Sequence, residues 1–365
     1  MGSSVDALYN TNYLPPKLLH RDQELAALAN LITADNVSNQ PMNILVHGSF
    51  GIGRTTLLRF FGHHELGEFH LPLIRFQGKQ STEIVSDTIH TLNPFQTPAC
   101  PLPEQWSLLK QLIRKSEVPL IFVLDDVDTQ TSEVYKKFLN MCKENNICSM
   151  ATAPRYYPRQ LDSAASQYLD VAIELEPFTD HQFLDIVKQR VTEVFPYLLP
   201  SHITEFIADL ICILDFQRPA TIVELLQNLH PLISTNYHIC ADQIRQSCLN
   251  SRTLHYDFWS GHLSNLTDLD ATTVLLLQAI GQYFVNHPGH IYVSQTSLFT
   301  QFKQVGEGMG FLVSPNQFTR ALNMILFQDL LLNSRYNTQS YFTLLPAEGY
   351  LEIVELLLGK NQLEL

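Results

Sequence analysis

The sequence predicts a three-layer α/β domain with a parallel sheet, then a small all-α domain, then a winged helix-turn-helix. Three observations carry this. Strand-like and helix-like segments alternate from Met42 to about Leu175. The strands then stop as far as about Leu249. From about Leu254, three helices precede two strands set around a polar tip. Alternation builds a parallel sheet covered on both faces. Three helices followed by a hairpin form the winged version of the helix-turn-helix. The expected boundaries are 1–176, 177–252 and 253–365.

The elements follow in order. Pro15-Pro16 keep the lead-in extended. RDQELAALANLI places Leu25, Leu28 and Ile32 at helical spacing. NILVH is a short apolar strand, RTTLLRFF a helix directly after glycines, and LPLIRFQ a second strand. STEIVSDTIHTL and EQWSLLKQLIRK are helices, the first with Ser81 or Thr82 as its expected N-cap. PLIFVLDD is apolar until its acidic end, as a central parallel strand should be. SEVYKKFLNMCKENN is a helix, and ICSMATA and DVAIELEP are strands. Four helical segments follow, one with Pro219 near its start, where the missing N–H costs little. LDATTVLLLQAIGQYFVN, VSQTSLFTQFKQVG and SPNQFTRALNMILFQ make the three helices of the last block, with Ser314 as an N-cap. LLLNSRYNTQSYFTLL supplies the hairpin, and a helix from about Glu348 to Gly359 closes the chain.

The 365 residues allow two or three domains, and 45% hydrophobic content supports sizeable cores. No apolar run reaches the ~18 residues that span a membrane, so no membrane partner is expected. The N-terminus lacks the pattern of a secretory signal, and Asp6 breaks the myristoylation pattern. The six cysteines form no C-x-x-C pair, which predicts reduced thiols in a cytoplasmic protein and no zinc site. A net charge of −13 disfavours indiscriminate nucleic-acid binding, though not a local basic surface.

HGSFGIGRTT holds the spacing Gly48-x4-Gly53-Arg54-Thr55, a phosphate-binding loop with arginine for the usual lysine. Ser49, Phe50, Gly51, Ile52 and Thr56 complete it. Its glycines turn backbone N–H groups toward a phosphate, and the following helix adds positive potential. The expected ligand is ATP or ADP with Mg²⁺, Thr55 ligating the metal. The alternative is a tight strand-helix turn without a ligand. LIFVLDDVD then places Asp125 to hold Mg²⁺ and Asp126 to orient or activate the attacking water. The alternative there is a pair of solvated acids. His47, His63 and His64 are read as packing or helix-end residues.

These segments together resemble the AAA+ replication initiators, the origin recognition complex subunits and their helicase-loader relatives. YLPPKLLHRDQEL matches that family's lead-in, so the resemblance places Tyr13, His20 and Arg21 near the adenine. Arg218 in DFQRPA falls at the lid's sensor arginine. Taken with the phosphate loop, the acids and the terminal winged helix, the resemblance covers essentially the whole chain. It implies an AAA+ core with a helical lid and a winged helix, acting on origin-type duplex DNA. The implied partners are other AAA+ initiator subunits and a replicative helicase. The implied location is the cytoplasm (the nucleoid), or the nucleus if the host is eukaryotic.

Departures from the family pattern bear on turnover. Arg54 is a planar fork where the family has a compact ammonium. Asp126 stands where it has glutamate, one methylene short. Ala153 occupies the place of an asparagine after the fourth strand. The trans-acting arginine aligns near Ser163, with Arg155 and Arg159 just upstream as substitutes. Asp215 and Phe216 replace the lid's glycine and aspartate. Because phosphoryl transfer depends on positioning and charge, these losses predict a protein that holds a nucleotide and hydrolyses it slowly or not at all.

In the winged helix, Asn316, Gln317 and Arg320 are the candidate base readers, and Arg335 sits on the wing. From Gly261 to Leu365 there are four basic residues and eight acidic ones, a net of −4. Few phosphate anchors predict weak DNA binding by this domain alone. Two other functions stay open. One is a nucleotide-dependent scaffold or switch whose winged helix binds protein. The other is an active DNA-stimulated ATPase in which Arg155 or Arg159 serves as the finger.

Overall fold

A computed structural model describes the chain except residues 1–5, 11–12, 34–39, 68, 97–99, 161–165, 196–198, 216–217, 236–240, 250–268, 338 and 364–365. Ser163 and Phe216 therefore lie outside the described residues. Two compact units emerge: Asn12–Thr179, and Met1–Thr11 together with Asp180–Leu365.

The first unit is the sheet domain. Helix α2 (Asp22–Leu31) follows the lead-in. Five parallel strands come next, β1 (Asn43–Gly48), β2 (Leu73–Arg75), β3 (Ile121–Asp125), β4 (Cys148–Pro154) and β5 (Val171–Leu175), in the order β2-β3-β4-β1-β5. Helices α3 (Arg54–Glu65), α4 (Ser81–Leu92), α5 (Leu102–Lys115), α6 (Ser132–Glu144) and the short α7 (Tyr157–Gln160) connect them. Every residue of β1 and of β3 is buried, because helices cover both faces. At the edge, β5 alternates between more and less exposed positions. Leu45, Leu124 and Ala151 lie in register across the three central strands. They pack with Ile84, Ile89, Leu109 and Phe138 of the covering helices. Asn43, fully buried, fixes the entry of β1. Its amide donates to the carbonyls of Leu139 and Tyr168, and its Oδ1 accepts from Ser149.

Two sequence expectations shift here. The second strand is three residues rather than seven. Helix α4 begins at Ser81 with Gln80 as its N-cap, since Glu83 accepts the Gln80 N–H at 2.7 Å and holds the turn one residue earlier.

The second unit contains α1 (Asp6–Tyr9), the lid helices α8 (Asp180–Val194), α9 (Ser201–Asp215), α10 (Pro219–Thr235) and α11 (Ala241–Leu249), and the terminal block. That block runs α12 (Ala271–Asn286), β6 (Val293–Ser294), α13 (Gln295–Gly308), α14 (Pro315–Phe327), β7 (Leu332–Asn333), β8 (Ser340–Phe342) and α15 (Ala347–Leu363). Its strands pair antiparallel in the order β6-β8-β7. Strand β6 was not expected, because its two residues read as the start of the following helix. Ser294 ends the strand and also caps α13, its hydroxyl accepting the Ser297 N–H.

The second unit gathers two further parts around the lid. Residues of α1 group with the helical unit, since Ala7 and Leu8 are buried and Gln227 donates to the Leu8 carbonyl. Lid and winged helix form one unit, joined in part by the buried Arg245 of α11. Its guanidinium donates to the Thr343 carbonyl at 2.9 Å and lies over the rings of Phe206 and Phe284.

Candidate nucleotide-binding site

The phosphate loop leaves the C-terminal end of β1 and opens α3, as its sequence requires. Gly51 and Gly53 have φ of +75° and +97°, a region that side chains resist. Gly48 is needed for space instead: a Cβ there would sit 3.1 Å from the Leu175 carbonyl oxygen. Gly53 caps α3, so the helix N-terminus faces the loop. Phe50 stands exposed at its crest.

Below the loop, side chains of two strands and a helix converge with Asp126. Thr55 donates to Asp125 Oδ1 at 2.6 Å, and Thr152 of β4 donates to the same oxygen at 2.8 Å. Thr152 Oγ1 in turn accepts the Asp126 N–H at 2.7 Å. Asp126 itself has φ of +55°, unusual for a residue with a side chain. Arg54 is only 6% exposed. One arm of its guanidinium donates to the Gly48 carbonyl at 3.3 Å, and the other pairs with Asp126 at 3.0 Å. Burial pulls the Arg54 pKa down, opposed by the charges of Asp126 and Asp125. Burial also raises the Asp126 carboxyl, with Asp125 adding to it and Arg54 opposing.

The donor set suits a hard cation. A hydroxyl and a carboxylate oxygen 2.6 Å apart are the ligands Mg²⁺ takes from protein, the rest coming from water and phosphate. Thr55 and Asp125 would hold that ion.

The lead-in residues are brought to the end of β5. Arg21, 5% exposed, donates to Glu24 at 2.8 Å and to the Glu176 carbonyl at 3.1 Å. Its guanidinium also lies 4.0 Å from the centre of the Phe178 ring. Arg21 thus fastens the lead-in to the sheet. His20 holds φ of +57° beside it, and Tyr13 is half-buried. Arg218 belongs to the other unit, immediately before α10.

No protein-family model matches the chain. The ORC1-type DNA replication protein of Pyrococcus abyssi (strain GE5 / Orsay) is 25% identical over 209 residues. That match covers 50% of this chain and 49% of the relative, so the chain spans about half the length of the curated relative it matches. Solved structures extend the likeness. The Cdc6p of Pyrobaculum aerophilum superposes with a TM-score of 0.81 at 20% identity, covering 98% of each chain. The ORC1 protein of Aeropyrum pernix, solved in complex with DNA, gives 0.58 at 16% identity over 97% of each chain. The ORC2 protein of the same organism, solved as ADPNP-ADP complexes, gives 0.55 at 17% over 97% of this chain and 98% of that one.

This chain has the fold of the AAA+ replication initiators. That likeness of fold extends across nearly its whole length.

Within the initiator fold, the candidate DNA residues are distributed unevenly. Asn316, Gln317 and Arg320 are exposed on α14. Gln317 also closes a capping box, its side-chain oxygen accepting the Ser314 N–H at 2.8 Å. Arg335 pairs with Asp180 of the lid at 2.9 Å. Arg155, 51% exposed, pairs with Glu174 at 2.6 Å and Glu176 at 3.6 Å.

Sequence reasoning missed Thr152. Its signal was weak, because β4 carries two hydroxyl residues, Ser149 and Thr152, and only the fold shows which of them meets the acids. Asp209 was also missed, within an apolar helix of the lid.

Proposed function

We propose that this chain is an initiator-like AAA+ subunit that binds ATP or ADP with Mg²⁺ and turns it over slowly or not at all. It would associate with duplex DNA in origin recognition or helicase loading, working with other AAA+ initiator subunits and a replicative helicase. The observation that carries this reading is the Arg54 bridge from the Gly48 carbonyl to Asp126. Binding is supported by the loop backbone, with Thr55 and Asp125 bonded to each other beneath it. The acid that would activate water is instead committed to a buried guanidinium.

A carboxylate in such a pair is a poor proton acceptor until the pair opens. It is also one methylene shorter than the family's glutamate, and a shift of about 1 Å costs ~10²-fold in rate. Two proteins of like fold agree with this reading: the Aeropyrum pernix ORC2 protein was solved as ADPNP-ADP complexes and the ORC1 protein with DNA. Arg155 stays open as a finger, since its two glutamate pairs are exposed and exchangeable.

A second reading, the winged helix as a protein-binding surface, draws on one observation. The exposed side of α14 carries Met324 and Phe327, the latter 85% exposed, beside a single cation. Chromatography of nucleotide released by denaturing the purified protein, followed by phosphate-release assays with and without DNA, tests the first reading. Retained ATP with no turnover supports it. Retained ADP with brisk turnover replaces it with an active ATPase. Failure to bind any nucleotide moves the weight to the scaffold reading.

A further inference from the structure

One side of the turn between β7 and β8 is bonded to the lid. Asp209 of α9, fully buried, accepts three hydrogen bonds from the winged helix. They come from the Tyr292 hydroxyl at 2.9 Å, the Ser334 hydroxyl at 2.6 Å and the Arg335 N–H at 2.8 Å. Ser334 Oγ accepts the N–H groups of Tyr336 and Asn337 at 3.2 and 2.8 Å, so the turn winds around one hydroxyl. Tyr336 donates to the Asp180 carbonyl at 3.1 Å and lies 3.1 Å from Cys212 Sγ. The Arg335 guanidinium pairs with the Asp180 carboxylate.

Each side of this contact has a distinct strength. A buried carboxylate with three donors is costly to strip, because each donor would lose a charge-assisted partner. The Arg335–Asp180 pair is 41% and 47% exposed, so it is weak and exchangeable. An incoming phosphate could take the place of the Asp180 carboxylate on the same guanidinium. Asp180 is also the residue at which the second unit begins.

We propose that the wing is latched onto the lid, with Asp209 holding its backbone and Asp180 occupying Arg335 in place of a nucleic-acid phosphate. In the latched form, duplex DNA meets α14 alone, through Asn316, Gln317 and Arg320. Phosphate contact by the wing requires Arg335 to leave Asp180. This regulation rests on the reading of the winged helix as a DNA-binding element.

Two measurements on the full chain test the latch. Amide hydrogen exchange reads it without DNA. The Arg335 and Asn337 amides should be protected in the wild type and exchange at least tenfold faster in Asp209→Asn. Fluorescence anisotropy with a labelled duplex across a potassium chloride series reads its effect. Asp180→Ala should bind severalfold tighter, with a slope of log affinity against log salt steeper by about 0.9, the value for one added phosphate contact. That gain should vanish in Asp180→Ala/Arg335→Ala. Rapid exchange of the tip amides in the wild type overturns the latch outright. Protected amides with DNA affinity unchanged or lowered by Asp180→Ala overturn the regulatory claim and leave the DNA reading standing. No salt-dependent binding by any variant overturns both.

Discussion

Asp125 at the end of β3 and Asp209 in the middle of α9 are built alike and behave differently. Each accepts hydroxyl protons from residues far away in sequence: Thr55 and Thr152 on one, Tyr292 and Ser334 on the other. The first lies at the C-terminal edge of a parallel sheet, beneath a glycine loop, where a ligand can compete for its partners. The second is sealed between lid and winged helix, and its partners cannot be exchanged without opening the joint. The same chemistry makes a site at an open edge and a fastener in an enclosed seam.

The sharpest way to break that comparison is to remove the fastener. Asp209→Ala takes the shared acceptor from three part-buried donors, and a net loss of about 3 kcal/mol is expected, at the scale of lost bonds to a charged group. Urea denaturation followed by circular dichroism measures it. A loss below about 1 kcal/mol would mean that water already serves those donors, and that Asp209 is no more sealed than Asp125.

Next in size is the loop. Gly53→Ala meets no neighbouring atom, so its cost is the backbone strain at φ of +97°, on the order of 1–2 kcal/mol. Nucleotide affinity by calorimetry should fall by roughly tenfold, the equivalent of about 1.4 kcal/mol. Unchanged affinity would show that the loop re-forms around a side chain and that glycine is not what shapes it.

Arg54→Lys probes the open edge from the opposite side. A lysine can still reach the Gly48 carbonyl, but its point charge lacks the second arm that binds Asp126. Phosphate release should rise about tenfold, less than the roughly 10²–10⁴-fold of a well-placed general base because Asp126 stays one methylene short. If turnover stays flat while Asp126→Ala also changes nothing, Arg54 is not what keeps the site quiet.

The two regions were also unequally legible in the sequence. The sheet was readable because its central strands are buried on both faces and run apolar to their acidic ends, as in IFVLD. The phosphate loop and Asp125 were readable because fixed spacing after a strand encodes them. Strand β6 was not, because two residues carry no period and Ser294 serves strand and cap at once. Nor was the Asp209 joint. Its partners come from residues 83 to 126 positions away, and nothing local in SHITEFIADLICILD marks an aspartate as shared. Arg335 read as a wing cation facing DNA for the same reason: composition shows a charge, and only tertiary structure shows Asp180 beside it.

The smallest expected effect separates open from sealed by pH. Burial raises the carboxyl pKa of both Asp126 and Asp209, and for Asp126 the neighbouring Asp125 charge adds to the rise. A raised acid binds its proton more tightly folded than unfolded. Its contribution is therefore fully favourable below the ordinary aspartate range, and it declines as pH climbs from there to the raised folded value. The difference in unfolding free energy between wild type and Asp126→Asn, or wild type and Asp209→Asn, should fall with rising pH across that acid window. Added salt then distinguishes the two. Asp126 is 29% exposed, and its repulsion from Asp125 acts near solvent, so 0.5 M potassium chloride should shift its window. Burial, which salt does not screen, leads both rises, but at Asp209 the next causes are hydrogen bonds rather than charges, so its window should stay in place. Equal salt sensitivity at both positions would mean that the seam around Asp209 admits water and ions as the loop edge does, and the distinction between site and fastener would collapse.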